Sequence, residues 1–221
     1  SRPNGKLVYL EEPKKIDLRE YRVPEPGPGA ILTEIIRANV CGSELHIWKG
    51  KHPEVKDGVL GHEALCQIKE LGDGVETDYA GQPVSEGDIV APVYYITCQK
   101  CSACLRGEFH LCENAYRHWS KSPEKPPHFH GTFATHYYIH PEQYFFKIPE
   151  DLNNSVAAGA NCALSQIMFG LDAVGLNYDD KVVIQGAGGL GLNAIAVANE
   201  RGAETIVIDG VKDRLERAEQ F

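Results

Sequence analysis

The chain has 221 residues, 43% of them hydrophobic, which suits one large domain or two modest ones and argues against global disorder. Its formal net charge of −9 opposes phosphate backbones and anionic lipid, so no nucleic-acid and no membrane partner is expected. No run approaches the length of a bilayer span, and Ser1–Leu10 is too mixed for the apolar core of a secretion signal.

Short strand-like pieces such as Lys6–Leu10 come first, closed by Pro24, Pro26, Gly27, Pro28 and Gly29. Ile31–Val40 reads as a strand that stops at Cys41-Gly42. Val59–Leu71 runs through Gly61-His62-Glu63 into another, closed by Gly72-Asp73-Gly74. Gly87-Asp88 turns into Ile89–Val93, and Thr135–Ile148 reads as two strands broken near Pro141. This β-rich character defines a first domain over residues 1–155. Beyond it, Val156, Ala160, Leu164, Ile167, Leu171 and Val174 recur at helical steps, predicting a buried helix ended by Gly175. A strand at Lys181–Gln185, a glycine loop, a helix at Leu192–Glu200, a strand at Thr205–Ile208 and a helix from Val211 complete a second region, 156–221. It holds one β-α-β unit, whereas a dinucleotide domain has two βαβαβ halves, so the natural chain is expected to continue and this stretch alone to be inactive.

Seven cysteines are an odd number for a disulfide framework. Four of them, Cys98, Cys101, Cys104 and Cys112, form C-x2-C-x2-C-x7-C. Two-residue gaps let a loop wrap an ion, and four thiolates favour a closed, structural zinc in a reducing, cytoplasmic setting. An iron–sulfur cluster is the rival, but the next cysteine of that motif is usually followed by proline, and here Glu113 follows Cys112.

Gly186, Gly188, Gly189, Leu190 and Gly191 belong to a G-x-G-x-x-G loop between a strand and a helix. Its glycines allow a tight turn, close approach to pyrophosphate and close helix packing, with the helix N-terminus facing phosphate. Asp209, about twenty residues on by the usual spacing, can bind the adenosine ribose and would repel a 2′-phosphate, so NAD is favoured over NADP. Lys212 and Arg214 stand close enough to serve the ribose edge or simply to cover a helix.

Cys41, His62 and Cys162 each have a bland reading as core thiol or loop histidine, and spacing alone does not join them. Taken with Cys41–His46, Gly61-His62-Glu63, Gly87-Asp88, the four-cysteine loop, Cys162 and the glycine loop, however, the sequence resembles the medium-chain zinc-dependent alcohol dehydrogenase family along essentially its whole length. The resemblance implies an α/β protein with a β-rich barrel: a chaperonin-cofactor-like catalytic domain, then a truncated Rossmann domain. It implies two zinc ions per chain, with Cys41, His62 and Cys162 as catalytic ligands and Cys98, Cys101, Cys104 and Cys112 as structural ones. Glu63 would lie beside the metal, Ser43 would touch the substrate oxygen, and His46 would end a proton relay running through the cofactor ribose. The expected activity is hydride transfer between a zinc-bound alcohol and NAD, giving an aldehyde or ketone, in a full-length homo-oligomer (dimer or tetramer). A zinc-stabilised structural or binding protein of the same fold is the alternative, and a reductase of this fold lacking catalytic zinc is a third reading.

Several positions depart from the family pattern. Gly42 offers no basic side chain to pyrophosphate, which resembles the polyol, threonine and secondary-alcohol branches, although polyol enzymes often carry a carboxylate at the place of Cys162. Cys66 reads as a core thiol. The stretch 113–130, with His118, Trp119, His128, Phe129 and His130, is either a substrate-channel loop or a solvated excursion, and His128 with His130 makes only a thin case for a third metal. Tyr137, Tyr138, Tyr144, Phe145 and Phe146 read as core packing rather than a base-stacking platform.

Overall fold

The computed structural model describes residues 2–53, 55–118 and 121–221, and Trp119 therefore lies outside the described residues. The chain divides into two compact units, residues 1–158 and 159–221.

The first unit begins with a hairpin of β1 (Asn4–Glu12) and β2 (Lys15–Arg22), and β1 also pairs with β4 (Gly58–Val59). The second sheet runs β7-β3-β5-β6-β8, with β3 (Ile31–Asn39), β5 (Glu63–Leu71), β6 (Ile89–Pro92), β7 (His136–Ile139) and β8 (Phe145–Lys147). Ile31, Ala64, Cys66, Ile68, Val90, Tyr137, Ile139 and Phe145 pack as its core. Cys66 is fully buried there, and burial pushes its thiol up to about 12, so it is an inert core group. Tyr137 and Phe145 belong to this core as packing residues, whereas Phe146 points outward.

The barrel expected from the resemblance is not formed: no sheet among the described residues closes on itself. The reason lies at the edges. β7 gives its Tyr138 N–H to the carbonyl of Phe129 (3.1 Å). Across the sheet, β8 is capped by a loop, with Tyr79 N–H donating to Phe145 O (3.2 Å) and Lys147 N–H to Asp78 Oδ2 (2.8 Å). Loops meet part of the outer edges, and β1 reaches the segment entering β7 only through the isolated bridge Leu7–Ala134, so the two sheets do not join into a ring.

Helix α1 (Gly42–Trp48) follows β3, and α2 (Ser102–Leu105) follows β6. The long apolar stripe predicted from Val156 to Val174 is not one buried helix. It breaks into α3 (Asn154–Ala157), a π turn at Ala160–Leu164 and α4 (Ser165–Ala173), and both Val156 and Val174 are exposed. The stripe does end as expected at Gly175, whose φ of +70° suits glycine.

In the second unit, β9 (Lys181–Gln185) pairs in parallel with β10 (Glu204–Ile208), joined by α5 (Gly189–Glu200), and α6 (Lys212–Ala218) follows. Ala187, Ile195 and Ala218 pack with Ile184, Leu192 and Val207 on one face of the strand pair. Val183, Ile206 and Ile208, which alternate with that face, are exposed. No helix of the described chain is long and apolar enough to cross a membrane.

Candidate metal centres and nucleotide loop

Strand register carries the first site. β3 and β5 pair antiparallel with Asn39 opposite Glu63, so the segment leaving β3 and the segment entering β5 lie side by side. Cys41 is two residues beyond Asn39, and His62 immediately precedes Glu63. Ligand atoms of Cys41, His62 and Glu63 accordingly lie within 4.8 Å of one another. Gly61 permits this approach: its φ is +93°, and a Cβ there would meet Thr132 Oγ1 at 2.5 Å and Phe133 N at 2.6 Å.

Glu44, which sequence reasoning passed over, organises this cluster. It is buried, at 4% exposure, on the first turn of α1. Its Oε2 accepts the Cys41 N–H at 2.9 Å, and its Oε1 accepts the proton on His62 Nδ1. With that proton fixed on Nδ1, Nε2 is the basic nitrogen, and it faces Glu63 Oε1 at 3.9 Å. The available signal was Cys41-x-x-Glu44, the spacing by which a third helical residue reaches back to a helix cap. The Tyr94 ring meets His62 edge-on, with centroids 4.9 Å apart.

Ser43 sits beside this cluster, with its Oγ 3.7 Å from Cys41 Sγ. His46, one turn further along α1, is exposed. Cys162 belongs to the second unit, buried in the π turn, where Gln166 Nε2 approaches its sulfur at 3.7 Å and its carbonyl accepts the Ser165 hydroxyl at 3.0 Å.

The second cluster is formed by Cys98, Cys101, Cys104 and Cys112, whose sulfurs lie within 4.8 Å of one another as free thiols. The donors around it favour thiolates. Cys98 N–H and Cys101 N–H point at the sulfurs of Cys112 and Cys98, each at 3.3 Å, and Asn114 Nδ2 approaches Cys98 at 3.5 Å. Backbone N–H groups, that of Lys100 first, bring Cys98 down to about 6, and those of Cys104 and Glu113 lower Cys101. Burial and the neighbouring sulfurs push Cys104 up to about 12. Four sulfurs this close ionise together only with a cation among them, and a donor set of four thiolates fits zinc.

In the second unit the glycine loop connects β9 to α5. Gly186 has φ +100°, and a Cβ on Gly191 would lie 1.8 Å from Gly186 O, so the loop closes only with glycine at position 191. By contrast, Gly188 and Gly189 have open space around them, room for a ligand to approach the backbone. Leu190 is exposed at the loop. Asp209 ends β10: its Oδ2 accepts Ala187 N–H at 2.7 Å, its Oδ1 accepts Val211 N–H at 2.8 Å, and Arg214 stands 3.7 Å away. Those N–H groups, Ala187 first, hold its carboxyl below the usual range. Lys212 pairs with Glu216 along α6 at 3.3 Å.

In the stretch 113–130, Glu113, Asn114, Tyr116, Lys121, Ser122 and Glu124–Pro126 are exposed, whereas its end is packed into the fold. Phe129 is fully buried against Leu7, Val23 and Leu32. His128 stacks on Tyr21, with centroids 4.7 Å apart, and its Nδ1 lies 2.6 Å from Pro123 O. His128 is thus turned away from His130, and the pair suggested by sequence does not converge. His130 instead meets His118 and His140.

Known proteins resemble this chain in both sequence and fold. Residues 27–150 match the family model described as the alcohol dehydrogenase GroES-like domain. Over 217 residues the chain is 34% identical to 5-exo-hydroxycamphor dehydrogenase of Pseudomonas putida, covering 97% of this chain and 59% of that protein. It is 31% identical to L-threonine 3-dehydrogenase of Pyrococcus horikoshii, over 89% of this chain and 53% of the relative. Among solved structures, an alcohol dehydrogenase from Thermotoga maritima superposes with a TM-score of 0.91 at 31% identity, covering 99% of this chain and 61% of that one. The chain thus spans little more than half the length of the curated relatives it matches.

Proposed function

We propose, for a chain that belongs to the medium-chain zinc-binding alcohol dehydrogenase family, that the whole protein interconverts an alcohol and its aldehyde or ketone by hydride exchange with a nicotinamide dinucleotide. The observation that carries the reading is Glu44, which holds both Cys41 and His62 and fixes the histidine tautomer a metal ligand needs. Cys41, His62 and Cys162 are the ligands of a catalytic zinc in this reading, with Glu63 beside them. Cys98, Cys101, Cys104 and Cys112 hold a structural one. When bound, the catalytic zinc supplies Lewis acidity and the nicotinamide supplies the hydride acceptor.

The chain's own residues have the following roles. Ser43 Oγ would accept the proton of the substrate hydroxyl while giving up its own to a relay that ends at exposed His46, which passes a proton to solvent. The open backbone at Gly188 and Gly189 cradles pyrophosphate at the start of α5, between the closed ends formed by Gly186 and Gly191, with Leu190 flanking it. Asp209, ionised at neutral pH, accepts from the adenosine ribose and repels a 2′-phosphate, so NAD is preferred to NADP. Arg214 balances its charge from the exposed side. The domain division we adopt places the catalytic part at 1–155 and the nucleotide part at 156–221. A cytoplasmic location suits seven cysteines with no disulfide among the described residues, and family resemblance supports a dimer or tetramer of the full-length protein.

The test is His62→Ala in the full-length protein. Bound zinc should fall by one per chain and alcohol oxidation should vanish, with NAD binding kept. Undiminished turnover would reject the mechanism. Zinc content unchanged from a wild type without turnover would favour a binding protein of the same fold.

A further inference from the structure

We propose that His118, His130 and His140 form a third metal site, for a borderline divalent cation such as zinc or nickel. It shares no ligand with either sulfur-containing cluster, although His130 lines the same small cavity as Glu44 and His62.

Three segments of the first unit supply these residues. His118 lies in a run of turns after the cysteine cluster, His130 follows the buried Phe129, and His140 directly follows β7. One ring nitrogen from each lies within 4.8 Å of the others. His130 Nδ1 and His140 Nε2 are 3.3 Å apart. Two nitrogens on a tetrahedral zinc at about 2.05 Å are separated by about 3.3 Å, so this pair already has the spacing of a chelate. The remaining separations exceed that by about 1.5 Å at most, a shift that side-chain rotation in His118 covers, since that residue is only half-buried. The His118 ring lies 3.9 Å from the His140 ring, and its Nδ1 is shielded from solvent with no hydrogen-bond partner among the described residues. A buried ring nitrogen without a partner is a cost that a bound cation would remove.

Hydrogen bonds hold the segment that carries His140. The His140 N–H donates to Gln143 Oε1 at 3.2 Å, and fully buried Gln143 donates in turn to Val93 O at 2.8 Å. Burial first pushes His118 and His130 down to about 4 and His140 to about 3, with Lys121 the next cause for His118 and the neighbouring histidines the next for the other two, so neutral rings are available as ligands at physiological pH. Arg117 and Lys121 oppose a cation here, and Arg117 is engaged by Glu142. Three imidazoles without a carboxylate favour zinc, nickel or copper over magnesium or calcium, and they leave a coordination position for water or an anion.

The test counts metal. Full-length wild type, His118→Asn, and the double variant His130→Asn/His140→Asn are saturated with Zn2+ alone. Total zinc per chain is then measured at equilibrium, with thermal melts in parallel. Wild type should hold one equivalent more than either variant, and the added zinc should raise its melting temperature but not theirs; Mg2+ should do neither. Equal zinc in wild type and His118→Asn would overturn the proposal and leave the three rings as packing only. Should the double variant misfold, His118→Asn decides the matter by itself, because that side chain is half-buried and lies outside the sheets.

Discussion

Glu44→Gln is the sharpest probe of the first cluster. The substitution keeps volume and shape but replaces a two-acceptor carboxylate by one oxygen and one NH2 group. Cys41 N–H and His62 Nδ1–H both need acceptors from Glu44, so the amide satisfies one donor and confronts the other. A buried hydrogen bond to a charged group contributes about 1.5–3 kcal/mol, and one such bond is lost. Loss of an orienting partner behind a metal-ligating histidine typically weakens metal binding about 10–100-fold. That corresponds to about 1.4–2.8 kcal/mol, so the two routes agree. Chelator competition should therefore show zinc at this site bound about 10–100-fold more weakly in Glu44→Gln, with the four-cysteine zinc unaffected. Zinc affinity within twofold of wild type would refute the assignment of Glu44 as the positioning residue.

Other outcomes follow from the same structure. Gly191→Ala drives a Cβ into Gly186 O and should destabilise the second unit by about 1–3 kcal/mol or more in thermal melts. Gly188→Ala meets open space, so it should leave the melt unchanged and weaken only nucleotide binding, read by NADH fluorescence titration. Cys101→Ser should remove one zinc per chain and lower the melting temperature, because a metal there contributes folding energy; retention of that zinc would reject a four-sulfur site. Asp88 is held below the usual carboxylate range by Lys147 first and the Ser85 N–H after it, with contacts of 2.8 Å each. A lowered folded pKa gives stability that is complete above the unfolded value of about 3.9 and lost as pH falls through the folded one. The stability gap between wild type and Asp88→Asn should accordingly be constant near neutrality and shrink below about pH 4, measured by urea titration; a constant gap down to about pH 2 would contradict it.

Much of the architecture was legible because it is local. Alternation and turn residues located β3, β6, β9 and β10 to within a residue at each end, and found β1 and β5 with looser bounds. The apolar stripe from Val156 misled because periodicity records spacing, not burial, and a π turn at Ala160–Leu164 shifts its phase. α1 was missed because it is short and starts at a Cys-Gly-Ser run, which reads as a loop until Glu44 is recognised as its cap partner.

What the sequence determined by itself were the features closed by a few consecutive residues: the four-cysteine wrap, the glycine loop between strand and helix, and the acidic end of β10. In these, the chain's bond geometry brings the chemistry together. Tertiary structure decided everything that depends on register and on loops meeting. The Asn39–Glu63 pairing sets Cys41 beside His62, the two sheets stay open rather than closed into a barrel because β1 reaches the segment entering β7 only through an isolated bridge, and packing gathers His118, His130 and His140 while turning His128 away. Residues far apart in sequence converge only when buried surface and backbone hydrogen bonds fix one arrangement, and spacing along the chain carries no record of that choice.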